Sequence, residues 1–245
     1  MSNPEKHQNS ENPTYSGDFE LQSLENFMPK YLDEITNIIS EEIKKIPAPR
    51  DVLEFGAGRG SISIRCWEKT KTKPICVEID PNLIDFLESE NFQVYKSLNE
   101  IKSKYDLIYT VNVLEHVLDD KAVLKDIYLR LKNKGKIVIF VPAFQSLMSA
   151  MDHEVGHVRR YSKKELQLKV KESGFKVNKT VYFDSLGTLA TIITKLLGYR
   201  GKLNLGGEKS LKLYNSILFP ISRTLDNLLM QRIVGKNLIL IAEKV

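Results

Sequence analysis

Cysteine is scarce and metal-type spacing is missing. Cys66 and Cys76 are the only two. They form no C-x-x-C or other ligand pattern, so they read as free thiols of a reducing compartment. No apolar run is long enough to span a bilayer. The opening stretch, "MSNPEKHQNSENPTYSGD", is polar and contains no apolar leader, which makes a cytoplasmic protein the expectation. There is no internal repeat. Histidine is also rare: two of the four, His153 and His157, lie within "MDHEVGHVRRYS".

What is there suits one large domain, or a domain with an insert. The 245 residues are 42% hydrophobic and 27% charged, as in ordinary globular proteins. Charge is uneven. The net is +5, yet residues 159–236 hold 16 basic and 5 acidic residues, or +11, leaving −6 elsewhere. A basic face of that kind suits an anionic partner or a solvated surface.

Residues 1–20 read as a disordered tail, and residues 21–245 as the folded domain. Tyr31, Leu32, Ile35, Ile38, Ile39, Ile43 and Ile46 recur at a helical period up to "PAP". Buried strands follow in "DVLEF", "PICVEID", "YDLIYTVNV" and "KIVIFVP". Helices lie between them, from Ser61, from Pro81 behind an Asp80 cap, and over "DDKAVLKDIYLRLK" to near Gly135. Ser162 and Glu165 form an S-x-x-E box opening a further helix. "FKVNKTVYF" and "NLILIAEKV" close the set. Alternating helices and continuous apolar strands predict a doubly wound, mostly parallel sheet.

In "EFGAGRG", Gly56, Gly58 and Gly60 follow the first strand, where an open α/β sheet binds its ligand. The third glycine falls one residue too early for a dinucleotide fingerprint, which argues against a nicotinamide dehydrogenase. Glu54 before the turn disfavours a pyrophosphate and suits a cationic amino-acid head. Glu78, about twenty residues on, can accept both hydroxyls of a ribose.

These segments resemble the class I S-adenosylmethionine-dependent methyltransferases: "VLEFGAGRG" their first motif, "CVEIDP" their second, and "YDLIYTVNVLEHV" the end of their fourth strand. The resemblance covers about residues 50–183 and the last strand. It implies a Rossmann-like seven-stranded sheet with an antiparallel last strand, and S-adenosylmethionine as cofactor. It places Glu54 near the methionine moiety, the glycines beneath the ligand, Glu78 at the ribose and Asn112 at the transfer site. Ser97 stands where many members carry an acid facing the adenine amine. "GHVRRYSKKEL" after "VPAF" further resembles a bacterial subgroup associated with glycan- or lipid-linked pathways, whose members often have "ENY" where this chain has Glu25, Asn26 and Phe27.

The ends of the fourth and fifth strands are neighbours in that fold, so His116, His153 and His157 are expected to converge as the catalytic candidates. Three readings stay open: a general base toward an acceptor hydroxyl, a divalent-metal set of Glu115, His116 and His157, or structural roles. The metal-dependent small-RNA and ubiquinone-pathway members carry a further carboxylate where this chain has Asn112, and the metal reading is the less favoured. Arg159 and Arg160 are candidates for a phosphate or carboxylate clamp.

Residues 184–234 read as a helical insert before the last strand. Leu186, Leu189, Ala190, Ile193 and Leu197 make one apolar face, and Leu211 to Val234 is amphipathic with a break at Pro220. The insert is expected to pack on the sheet edge, or to serve as a lid with peripheral contact at the inner face of a membrane. Methyl transfer to an oxygen of a small-molecule or lipid-linked acceptor is the expected activity. A non-catalytic cofactor-binding partner and a nucleic-acid methyltransferase are the alternatives. No "NPPY"-type motif follows the fourth strand, so nucleic acid is the less expected substrate.

Overall fold

A computed structural model describes residues 18–196 and 207–245. Helix α1 (Asp18–Phe27) begins inside the expected tail, and residues 1–17 lie outside the described part. Helix α2 (Pro29–Lys44) opens with proline in its first turn, where a missing N–H costs nothing. It buries Leu32, Ile35, Ile39 and Ile43, the period read from sequence. Strand β1 (Val52–Phe55) leads through the glycine turn to α3 (Ser61–Thr70). Strand β2 (Ile75–Val77) leads to α4 (Pro81–Ser89), where the Asp80 side chain accepts the N–H groups of Asn82 and Leu83.

Then come β3 (Val94–Tyr95), β4 (Tyr105–Val111), α5 (Asp120–Arg130) and β5 (Leu131–Pro142). Helix α5 ends at Arg130, earlier than the sequence suggests, because Leu131 already pairs with Tyr105 of β4. After β5 follow α6 (Ala150–Glu154), α7 (Lys163–Glu172) and β6 (Phe175–Phe183). The insert supplies α8 (Ser185–Leu196), α9 (Gly207–Leu213) and α10 (Phe219–Leu228), and β7 (Asn237–Lys244) closes the chain.

The seven strands run in the order β3-β2-β1-β4-β5-β7-β6. The β1–β5 pairings are parallel, and β7 is antiparallel to both neighbours. The expected Rossmann-like sheet with an antiparallel last strand is therefore present. Alternation along the strands fills two apolar layers. Ile108, Ile137, Ile139 and Leu240 face one, with Leu124 of α5 and Leu166 of α7. Leu107, Tyr109, Val138, Phe140 and Ile239 face the other, with α2 and Phe219. Strand order reverses between β1 and β4, and their carboxyl ends open there into the crevice that binds ligands in such sheets.

Buried polar groups anchor the insert alongside the apolar contacts of Phe219. Asp184 and Asp226 are 1% and 0% exposed. The Asp184 carboxylate accepts from Tyr214 Oη at 2.5 Å, Ser222 Oγ at 2.9 Å and the Gly187 N–H at 3.1 Å. Asp226 accepts the N–H groups of Asp184 and Ser185 and an Arg223 bond. The break expected at Pro220 is a π-turn over Tyr214–Leu218, after which Pro220 sits in the first turn of α10.

Candidate active site

The glycine turn is held open by backbone geometry. Gly56 has φ 75°, and a Cβ there would lie 2.3 Å from Val113 Cγ2, so only glycine fits. The Gly58 N–H donates to Glu78 Oε2 at 2.7 Å, while Glu78 Oε1 accepts the N–H groups of Ile79 and Asp80. One carboxylate thus ties the β1 turn to the end of β2. Gly60, at φ 74°, caps α3.

Glu54 is 2% exposed, and its Oε2 accepts from Ser63 Oγ at 2.5 Å and Tyr109 Oη at 3.1 Å. Burial pushes this carboxyl up to about 8, against the lowering pull of those two hydroxyls. Helix α1 lies across the turn: Glu25 pairs with Arg59 Nε at 3.3 Å and accepts from Ser61 Oγ. That clamp went unread in the sequence, although Glu25 falls in the segment compared with "ENY".

On the other side, β4 and β5 bring two of the three candidate histidines together. The His116 and His157 rings stand edge to face, 4.7 Å between centroids. The Val158 N–H donates to the Glu115 carbonyl at 2.9 Å, which docks the later loop on the earlier one. His157 Nδ1 lies 2.8 Å from Asp152 Oδ1, and Arg160 Nε bonds the same oxygen at 2.8 Å. Asp152 is buried; despite that burial, His157 and Arg160 hold its carboxyl well below the usual range, so it stays ionised. An ionised acceptor requires Nδ1 to carry a proton, and His157 Nε2 lies 4.0 Å from Glu115 Oε1. Burial lowers His116 to about 4, with His157 adding to the shift, so His116 is neutral at pH 7. His153 is exposed on α6 and does not join this pair, although it faces the same cleft.

One nitrogen or oxygen from each of Glu115, His116 and His157 falls within 4.8 Å of the others. Both the glycine turn and the histidines line a single open cleft of about 1650 Å³. That exceeds the usual ligand pocket of about 300–1,000 Å³, leaving room for two ligands side by side. Asn112, with φ 53°, stands between the two halves, its N–H fixed on the Phe140 carbonyl at 2.9 Å.

A family profile described as "Methyltransferase domain" matches residues 24–180, well over half of the chain. The chain belongs to the methyltransferase-domain family. No curated protein matches it in sequence. Solved structures share its fold. A SAM-dependent methyltransferase from Archaeoglobus fulgidus is 21% identical, with TM-score 0.59 over 92% of this chain and 100% of the other. The phosphoethanolamine N-methyltransferase 2 of Haemonchus contortus, solved with S-adenosyl-L-methionine, is 11% identical at TM-score 0.61, over 95% of this chain and 58% of the other. The cyclopropane synthase MmaA2 of Mycobacterium tuberculosis is 10% identical at TM-score 0.56, over 95% and 100%. Such a range of names on one fold leaves the acceptor to be argued from the site.

Within this methyltransferase domain, some candidates lie elsewhere. Ser97 caps the turn after β3, accepting the Asn99 N–H at 3.2 Å, and is not among the residues lining the cleft. The expected anion clamp is not formed. Arg159 bonds Asp120 at 2.7 Å and the Leu118 carbonyl, while Arg160 is committed to Asp152 and the Ala143 carbonyl. Tyr161 is structural, donating to Asp120 and the Leu114 carbonyl at 1% exposure. Sequence reading missed Asp152, whose signal was an acid five residues before His157.

Proposed function

We propose that this methyltransferase domain moves the methyl group of S-adenosylmethionine to an oxygen of a small-molecule or lipid-linked acceptor. The cofactor would lie over Gly56, Gly58 and Gly60, with Glu78 at its ribose and Glu54 beneath the turn. The acceptor would occupy the half of the cleft bounded by His116, His157 and the insert. Bound there, S-adenosylmethionine supplies a methyl group already made electrophilic by its sulfonium.

The observation that carries this reading is the Asp152–His157 pair, an imidazole held by a buried carboxylate at the cleft wall. The acceptor oxygen forms the new bond to carbon while the carbon–sulfur bond breaks, giving S-adenosylhomocysteine. The hydroxyl proton passes to His157 Nε2. His116, uncharged, packs against that ring and fixes its tilt, and alignment over the methyl supplies much of the remaining acceleration. Replacing His157 by Gln tests the assignment: cofactor affinity stays, and transfer in a single turnover falls. Unchanged transfer rules out His157 as the base.

A second reading draws support from the spacing of Glu115, His116 and His157, which suits one divalent cation. Asp152 would then be the carboxylate that orients a ligating histidine. Chelator treatment separates the two. Transfer that survives EDTA favours the base, whereas transfer lost to EDTA and restored by an added divalent ion favours the metal.

A further inference from the structure

Helix α8 leaves an apolar stripe uncovered. Leu189, Ile192, Ile193 and Leu196 recur at the spacing of one helical face, and all four are exposed, Leu189 by 55% and Leu196 by 81%. The opposite face, Gly187, Ala190, Thr191, Thr194 and Lys195, is small and polar and lines the cleft. Of the stripe read from sequence, Leu189 and Ile193 face outward, Ala190 lines the cleft, and Leu197 lies outside the described residues. The helix is held at its N-terminal end by buried Ser185 and Thr188 and by Gly187 against Asp184, and its apolar stripe is left outward.

The second half of the insert repeats the pattern. Ile217, Ile221 and Leu228 are exposed and lie off the cleft, while Asn215, Phe219, Ser222 and Asp226 are buried. Among the described residues between Leu189 and Ile233, eleven large apolar side chains are exposed; Leu213 and Leu218 line the cleft and nine do not, far more than the scattered single residues normal on a surface. Cations accompany them. Residues 185–234 hold seven lysines and arginines against two acids, Glu208 and Asp226. Arg223 is spent on Glu34 and Asp226, but among the described residues Lys195, Lys209, Lys212 and Arg232 are exposed against one exposed acid, Glu208.

We infer that the outer face of the insert docks on an anionic lipid bilayer, α8 lying in the headgroup plane. Apolar residues on one side and a polar opposite face are the composition of an interfacial helix, and exposed cations follow in the second half of the insert. The excess of exposed cations over acids in this segment matches an anionic leaflet. It opposes pairing with a second copy, since an isologous contact would bring two such segments together. Because the inner face of the same helices lines the cleft, docking would set the mouth of the cleft at the membrane surface. The inference concerns binding and does not require the methyl-transfer reading to hold.

The test is co-sedimentation of the purified full chain with phosphatidylcholine vesicles, with and without about one third phosphatidylglycerol. Binding is expected to the anionic vesicles and to weaken as salt approaches 1 M, where the screening length shrinks to about 3 Å. The exposed double substitution I193Q/I217Q should lower the partition coefficient at least about tenfold, with the circular dichroism spectrum and S-adenosylmethionine affinity unchanged. No binding to either vesicle overturns the inference, as does equal binding by the variant. A concentration-dependent dimer that the same substitutions abolish would assign the face to a second copy instead. Since cofactor affinity is read separately, failure here is distinguishable from failure of the proposed activity.

Discussion

His157 Nδ1 and Asp152 Oδ1 lie 2.8 Å apart, five residues from each other on either side of a glycine turn. Gly156, at φ 84°, makes the turn that brings the imidazole back over the carboxylate. Arg160 on the same oxygen helps keep the acid charged.

Asp152→Asn therefore removes the charge that stabilises an imidazolium during transfer. It is expected to lower kcat about a hundredfold or more while leaving the dissociation constant for S-adenosylmethionine unchanged. Steady-state kinetics beside calorimetric binding check the split. A parallel loss of affinity would assign Asp152 to the fold alone.

Glu78 makes three backbone bonds that join two loops. Glu78→Ala should weaken cofactor binding by roughly tenfold or more, at about 1.5–3 kcal/mol per lost charged hydrogen bond. Gly58→Asp should weaken it further by setting a carboxylate where the chain has φ 55° and Leu21 lies 3.0 Å away. Normal affinity in both variants would remove this turn from the cofactor site.

Gly56→Ala forces a Cβ onto Val113 and an ordinary residue into left-handed backbone. A loss of about 1–3 kcal/mol of stability is expected. Adding Val113→Ala should recover the steric part and leave the backbone part. Chemical denaturation of the single and double variants measures each share; additive losses would mean the two residues do not touch.

Glu54 carries a pH signature. Its folded value of about 8 stands above the ordinary 4.5, so between those limits the folded chain holds a proton that the unfolded chain has released. The contribution of this group to stability is full below about 4.5 and falls as pH rises toward 8. Glu54→Gln should flatten the decline across that window in the cofactor-free protein. Parallel curves for the two proteins would show that the buried carboxyl does not titrate there.

The sheet was legible because its strands are short apolar runs bounded by glycine, proline and caps, signals that survive without tertiary context. The meeting of His116 and His157 was legible because strand order alone sets the ends of β4 and β5 side by side. Other features depend on side-chain competition that no local pattern encodes. Arg159 and Arg160 have the composition of an anion clamp, yet Asp120 and Asp152 bind them first. The apolar stripe of α8 has the period of a packed helix, but the polar network around Asp184 and Asp226 decides how the helix turns. Helix α5 stops where Leu131 finds a strand partner, which propensity cannot show.

The most direct test of the proposed activity uses S-adenosylmethionine with a labelled methyl group, purified protein and a total extract of the source cells partitioned between organic and aqueous phases. Label is expected in an acceptor, with S-adenosylhomocysteine formed in equal amount and both lost in His157→Gln. Tight cofactor binding with no label transferred to either phase would contradict a catalytic role and leave a cofactor-binding partner protein.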